Sequence, residues 1–326
     1  LVSSLSARDA IKLLTIGNSF ANNATEFLPA MAKAAGKDLL IFRANPGGCS
    51  LERHAKAMQA FELNPADPAG RLYTRAFFPL RPEAKEKWAL QEILAAEKWD
   101  FVTIQQVSND SFRYETFEPF AKELIDCIHR LAPQAEILIH QTWAYREDYP
   151  GFANGAFTQQ MMFDGLVESY RKLGEAYHLR VIPVGTAIQM ARANPRWKFT
   201  FPDPNFNYLA PVAGTKPMQT GSLNVGWTVA KKVLKKAPEI DEPAEPAAGS
   251  VGTGVAVAEP PKAAETLVAT LDFKHCNAEG KYLGAAVWYG FLFSEKTVAL
   301  TYVPPMVKPE DAALLRTIAD EVLAVK

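Results

Sequence analysis

Cysteine is scarce: the 326 residues contain three, Cys49, Cys127 and Cys276. These are too few and too scattered for a disulfide framework or a Cys-x-x-Cys metal site. Their scarcity fits a reducing compartment and does not exclude export. Long apolar runs are also missing. The longest, Gly284 to Phe293, is about half of the 18 or more residues a spanning helix needs, so no membrane span is expected. Neither sign of charge dominates: 35 Lys and Arg face 36 Asp and Glu, for a formal charge of −1. A dedicated nucleic-acid binder normally carries a basic excess or stripe, so no nucleic-acid partner is expected. No internal repeat is visible. The remainder is ordinary globular composition, 48% hydrophobic and 22% charged, which excludes a disordered or fibrous chain. The sequence opens at Leu1 without methionine. A cleaved signal peptide or a trimmed start both produce such an opening; the first carries the expectation of a periplasmic or secreted protein.

The first two-thirds reads as strands alternating with amphipathic helices. Expected strands are Ile11–Ile16, Asp38–Arg43, Phe101–Gln106, Glu136–Gln141 and Arg180–Val184. Between them lie helical patterns. One covers Pro29–Ala35 and starts near residues 23–26. Ser50–Phe61 follows, with Ser50 as N-cap, then Phe117–Leu131 and Phe157–Tyr177. Strands separated by helices of this length imply βαβ crossovers and a parallel sheet covered on both faces. Asn64–Pro82, with four prolines, reads as an irregular excursion, and Asn194–Pro217 as an ordered loop dense in Pro, Asn and aromatic residues. Pro238–Pro261 resembles a linker or surface hairpin. Its Gly252 and Gly254 lack the strand–turn–helix context of a dinucleotide site. Residues 194–270 are thus read as an irregular insertion in one domain spanning 1–326. An extended piece at Thr297–Val303 and a final helix at about 309–325 complete the chain.

Candidate chemistry collects where strands end. The first strand runs into Ile16-Gly17-Asn18-Ser19-Phe20, and a serine there sits where open α/β sheets place ligands. Capping of the next helix by Asn18 or Ser19 is the competing reading. The second strand leaves through Ala44-Asn45-Pro46-Gly47-Gly48-Cys49-Ser50, whose glycines permit positive φ or close approach of a ligand. The third leaves through Gln106, Ser108, Asn109 and Asp110. Each turn alone is unremarkable; three at one rim suggest a site. Near the end, Asp272 and His275 are three apart, just ahead of an apolar helical run through Leu283, Val287 and Phe291. On a short turn, that spacing lets a carboxylate lie beside an imidazole and fix its tautomer; Asp272 as a mere N-cap is the alternative. His54, His129 and His178 fall in or at the ends of helices, where packing is the default. His140, ending the fourth strand, is not so easily dismissed. Cys276 beside His275 reads as reactive or simply packed.

In order, these segments resemble the SGNH (GDSL-like) hydrolase superfamily over most of 11–190 and 270–293. Gly17-Asn18-Ser19 stands where that family has Gly-Asp-Ser, and Gly48 matches its second-block glycine. Val107-Ser108-Asn109-Asp110 keeps the Asn-Asp of its third block without the glycine, and Asp272-x-x-His275 matches its last block in full. The Gly-Asn-Ser-Phe start is similar to a bacterial branch in which a glutamine after the third strand takes the asparagine's place. The resemblance implies a three-layer α/β/α sandwich, flavodoxin-like, with a mostly parallel five-stranded sheet and inserted loops. It also implies a serine esterase that needs no metal or organic cofactor. Ser19 would be the nucleophile, His275 the base and Asp272 its orienting acid. The oxyanion would be received by the N–H groups of Ser19 and Gly48 and by the side chain of Asn109 or Gln106.

Substrate class is a longer inference. Trp143 and Tyr145 follow the fourth strand near His140, and Trp197, Phe199, Phe201 and Tyr208 lie in the inserted loop. Aromatic faces near a polar site suit sugar stacking, with core packing the alternative for each. The expected substrate is an acetylated or otherwise acylated small molecule or glycan, with Trp143, Tyr145 and His140 as candidate binding residues. Three other functions remain open: an O-acyltransferase using the same triad, a non-catalytic glycan-binding protein and, less well supported, a nucleotide-binding flavodoxin-like protein. The sequence leaves the oligomeric state unspecified.

Overall fold

Short apolar segments with β-branched residues form the sheet. In chain order the first elements are β1 (Ile11–Ile16), α1 (Ser19–Ala24), α2 (Leu28–Ala34), β2 (Leu39–Ala44) and α3 (Leu51–Leu63). Two short strands, β3 (Tyr73–Thr74) and β4 (Lys87–Trp88), precede α4 (Leu90–Ala96). Then come β5 (Phe101–Ile104), α5 (Phe120–Leu131), β6 (Glu136–His140), α6 (Gln159–Tyr177), β7 (Arg180–Ile182) and α7 (Val184–Ala193). A hairpin of β8 (Asn224–Val233) and β9 (Glu265–Cys276) leads into α8 (Ala278–Phe293) and α9 (Pro309–Ala324). The computed structural model describes residues 10–74, 87–233 and 265–324.

The main sheet has five strands in the order β2-β1-β5-β6-β7, all parallel. This is the three-layer flavodoxin-like arrangement the sequence led us to expect. A parallel sheet needs helices on both faces, and two sets supply them. α1, α2, α7 and α9 pack on α8, whereas α4 and α5 pack with α3. α8 is apolar around its whole circumference because it is enclosed by neighbours; Tyr282 through Gly290 are all buried. Ser50 caps α3 by accepting from Arg53 N–H at 3.1 Å, a contact worth about 1 kcal/mol.

Register aligns the strand ends. Ile16 pairs with both Ala44 and Ile104, and Ile104 pairs with Ile139. The segments that follow therefore emerge along one carboxyl edge. Strand order reverses at β1, so Ser19 begins its helix at the switch point where such sheets bind ligands.

Some elements differ from expectation. β7 stops at Ile182 because Pro183 ends it, and the unexpected α7 begins at once. Thr297–Ala299 is a 3₁₀ turn rather than extended chain. The segment expected as a short turn around Asp272 and His275 is the end of strand β9. Residues 224–233 and 265–270, expected to be irregular, are strand. The linker Pro238–Pro261, with Gly252 and Gly254, and residues 75–82 of the proline-rich excursion lie outside the described residues.

The described residues fall into two compact units. One comprises those within Leu1–Phe201, Thr220–Gly226 and Phe273–Lys326; the other those within Pro202–Gln219 and Trp227–Asp272. In the second, the Tyr208 ring meets Trp227 edge-on at 4.8 Å, and Gln219 bonds the Trp227 backbone in both directions. No helix among the described residues is long and apolar enough to cross a membrane.

Candidate active site

Asn18, not Ser19, caps α1: its Oδ1 accepts from Phe20 N–H at 3.1 Å. Ser19 is then the first helical residue, half-buried, and its hydroxyl is released from capping. Its Oγ lies 2.9 Å from His275 Nε2, across 256 residues of sequence. In that position Ser19 N–H has no intrahelical acceptor. Asn18 does more than cap. Its Nδ2 donates to the Cys49 carbonyl at 3.0 Å, and its Oδ1 takes a second bond from Gln105 Nε2 at 2.8 Å. Gln105 packs so closely that a Cβ on Gly17 would come within 2.8 Å of it, which explains the glycine before the cap.

The exit of β2 is held to α1 by Asn45, whose Nδ2 reaches Thr15 Oγ1 at 2.9 Å and Asn22 Oδ1 at 2.8 Å. It then turns through Gly48, exposed and at φ +60°, a conformation that suits glycine. Gly48 N–H has no hydrogen-bond partner among the described residues.

His275 is fixed through its backbone neighbours. The Lys274 carbonyl accepts from Trp143 Nε1 at 2.8 Å and from Asn224 Nδ2 at 3.1 Å. Cys276 N–H donates to Asn23 Oδ1 at 2.8 Å, and Asn277 N–H to the Leu223 carbonyl at 3.0 Å. The Phe20 ring stacks on Trp143 at 4.2 Å and lies 6.1 Å from the imidazole. Asp272, half-buried, is three residues back along β9.

Two further histidines are buried beneath this edge. His54 Nε2 lies 2.9 Å from the Gly17 carbonyl and its Nδ1 2.7 Å from Tyr73 Oη. Because a carbonyl only accepts, Nε2 carries the proton. Burial lowers the His54 pKa to about 4. His140 Nδ1 lies 2.6 Å from Gln105 Oε1, and burial lowers its pKa to about 3.

Of the residues expected at the site, Ser19, His275 and Gly48 lie on or against this edge. Gln106 is there too, but its amide is committed. Oε1 accepts from Leu51 N–H at 3.0 Å and Val107 N–H at 2.9 Å, while Nε2 donates to Thr116. Asn109 is exposed, with no side-chain hydrogen bond among the described residues, and borders a cavity of about 200 Å³. Phe112, Tyr145, Tyr149, Phe157 and Met162 line the cavity with it.

The expected ring-stacking surface is corrected. Trp143 and His140 have no exposed surface, because Trp143 is spent on Lys274 and Phe20 and His140 on Gln105. Tyr145 is 2% exposed, its hydroxyl bonded to Ser108 Oγ at 2.9 Å. Trp197 is buried as well; Phe201 is exposed, and Phe199 lies against the Arg146 guanidinium at 5.3 Å. Cys276 is buried and packs. Gln105, Asn22, Asn23 and Asn45 were not anticipated from the sequence; His54 packs as expected, and its contact with the Gly17 carbonyl is what the sequence does not show. The available signal was two adjacent asparagines inside a short helix, a residue type that disfavours helix interiors. Among the described residues no group of three or more His, Cys, Asp or Glu is placed to hold a metal ion.

No curated protein matches this sequence. The crystal structure of a DUF4886 family protein from Bacteroides uniformis is similar over 97% of this chain and 95% of that one, at 22% identity and a TM-score of 0.62, which shows a shared fold. A proposed SGNH hydrolase from Slackia heliotrinireducens is similar over 59% of this chain and 88% of its own, at 20% identity and a TM-score of 0.40. A carbohydrate acetylesterase from Sinorhizobium meliloti is similar over 54% and 85%, at 14% identity and a TM-score of 0.33. Residues 12–196 match the family described as Domain of unknown function (DUF4886), and since this is more than half of the sequence, the chain belongs to that family.

Proposed function

We propose that this protein is an SGNH-type serine hydrolase that removes acetyl or another small acyl group from a carbohydrate. The observation that carries the reading is the 2.9 Å contact of Ser19 Oγ with His275 Nε2 at the sheet's switch point. Ser19 Oγ attacks the ester carbonyl as His275 Nε2 takes its proton, and the imidazolium then protonates the leaving alkoxide. A water, deprotonated by the same nitrogen, releases the acyl group and restores Ser19. Asp272 is assigned to orient His275 on the Asp-x-x-His spacing.

For the oxyanion, the N–H groups of Ser19 and Gly48 are donors without an acceptor among the described residues, and Asn109 is favoured over Gln106. Gln106 would have to abandon Thr116 to serve; Asn109 has no side-chain bond among the described residues to abandon. The carbohydrate assignment draws on the half-buried rings of Phe112, Tyr149 and Phe157 around the cavity beside Asn109, and no longer on Trp143 or Tyr145.

The test is hydrolysis of p-nitrophenyl acetate, butyrate and octanoate. Acetate turnover should fall by about 10⁴-fold or more in Ser19→Ala. Asn109→Ala should lose about 10²–10³ in kcat while folding normally. Gln106→Ala should instead lose stability, having stripped two buried N–H groups of their acceptor. Equal activity of wild type and Ser19→Ala would end the hydrolase reading. Acetate release from acetylated oligosaccharides then tests the substrate class.

A further inference from the structure

The hydrogen-bond polarity beneath the nucleophile can be assigned without ambiguity, because backbone groups fix it. Asn18 Oδ1 accepts from Phe20 N–H and Asn18 Nδ2 donates to the Cys49 carbonyl, so the two ends of that amide cannot be exchanged. The Gln105 atom 2.8 Å from Oδ1 must therefore be the donor, Nε2. Gln105 then presents its carbonyl oxygen to His140 Nδ1 at 2.6 Å. A carbonyl only accepts, so His140 carries its proton on Nδ1 and a lone pair on Nε2. Nε2 is buried and has no hydrogen-bond partner among the described residues. The neighbouring Trp288 ring, its centroid 5.3 Å away, offers an N–H, itself without a partner among the described residues, and not an acceptor. A second proton on His140 would thus place a charge and an unmatched donor in a site without solvent.

We propose that His140 is a positioning residue for the reaction: its Nδ1–H locks Gln105, and Gln105 locks Asn18, so that Ser19 and the Gly48 turn are held at a fixed spacing. The inference rests on the hydrolase reading. Asn18 is the joint through which the relay acts. One side chain grips both the start of α1, which carries the Ser19 hydroxyl and N–H, and the Cys49 carbonyl, one residue beyond Gly48. If Gln105 turned its amide over, its oxygen would face Asn18 Oδ1. Asn18 would then have to surrender either the helix cap or Cys49, and the two oxyanion donors would shift relative to each other. His140 prevents this by offering Gln105 a donor and nothing else, and burial keeps it in that single state. It touches neither Ser19 nor any group proposed to touch substrate, so its effect falls on turnover rather than on binding.

The experiment compares His140→Asn, His140→Gln and His140→Leu with wild type on p-nitrophenyl acetate. Labelling of Ser19 by a fluorophosphonate and the melting temperature are followed alongside. An asparagine amide reaches the place of Nδ1 and restores the donor to Gln105; a glutamine amide reaches the place of Nε2 and does not. We expect kcat of the Gln and Leu variants to fall about 10- to 100-fold, part of the cost of losing an oxyanion donor, with KM little changed. His140→Asn should stay within about threefold of wild type, although it too leaves a gap in the core and melts earlier. A merely structural role predicts instead that kcat follows the melting temperature in all three, and that result would overturn the proposal. So would unchanged kcat in His140→Gln. Nitrogen-15 spectra of the wild type decide the tautomer independently of activity: Nδ1–H supports the relay and Nε2–H overturns it, even if the Leu variant does not fold. A wild type that neither turns over esters nor labels at Ser19 would remove the hydrolase reading itself, leaving the tautomer to judge the hydrogen-bond chain.

Discussion

Asn18 is where this chain departs from the Gly-Asp-Ser pattern it resembles, and its contacts show why the departure matters. Its two amide ends face opposite kinds of partner, an accepting carbonyl at Cys49 and two donors at Phe20 and Gln105. An aspartate can satisfy the donors but not the carbonyl. Asn18→Asp, which would complete the Gly-Asp-Ser pattern, should therefore place two oxygens against each other in a buried site. The expected cost is about 1–3 kcal/mol of stability, with lower turnover of p-nitrophenyl acetate. Melting temperature and kcat measured together check this. A variant as stable and as active as wild type would show that the Asn18–Cys49 bond is dispensable.

Among the elements, α7 has the largest role that the sequence did not announce. Its Arg192 is buried and donates to four acceptors: the Ser222 carbonyl at 3.2 Å, the Ala144 carbonyl at 2.9 Å, Asn224 Oδ1 at 2.7 Å and, at 3.5 Å, Gln189 Oε1 within its own helix. Ser222 and Leu223 both have positive φ, +47° and +66°, an expensive conformation for side-chain-bearing residues that persists only where the surroundings enforce it. Arg192 contributes to that enforcement through the Ser222 carbonyl, beside the Asn224 N–H bond to Gly221 and the Asn277 N–H bond to Leu223. Through Asn224 and the Leu223 carbonyl it also bears on Lys274 and Asn277, either side of His275. A lysine has no planar fork to span the same acceptors. Arg192→Lys should lower the melting temperature and reduce kcat by misplacing His275, with Ser19 intact. Calorimetry and fluorophosphonate labelling rates test it, and undiminished labelling would dissociate α7 from the site.

The same element shows where legibility ended. The main-sheet strands could be read because short apolar runs alternate with long amphipathic patterns, a signal local to each segment. α7 was lost because no side chain caps it and its first residue, Val184, continued the apolar run of β7. Ser19 and His275 could be singled out as candidates because their neighbours form ordered motifs. Gln105, Asn23 and Asn45 were not, since an amide's partner is chosen by the fold and leaves no spacing behind. His140 was noticed for its place at a strand end, and only its burial separated positioning from substrate contact.

For the whole molecule, the two buried neutral histidines set a dependence of stability on pH. An unfolded histidine titrates near 6.5, whereas in the folded chain His54 titrates at about 4 and His140 at about 3. Between these values the unfolded chain binds protons that the folded chain refuses. Stability is therefore fully present above about pH 6.5 and is lost as pH falls, at about 1.4 kcal/mol per pH unit for each ring. By about pH 4.5 the two together remove on the order of 5 kcal/mol, comparable with the entire stability of many domains. Carboxylates add their own acid dependence, but it is common to wild type and variants. Urea unfolding of wild type and His140→Asn at about pH 7 and about pH 5 isolates one ring. The variant should start less stable at neutral pH and lose less on acidification, by about 1.4 kcal/mol per unit, so that the two curves converge. Parallel curves would mean that His140 takes up a proton in the folded chain, and the neutral Nδ1–H state on which Gln105 depends would not persist at the acid end.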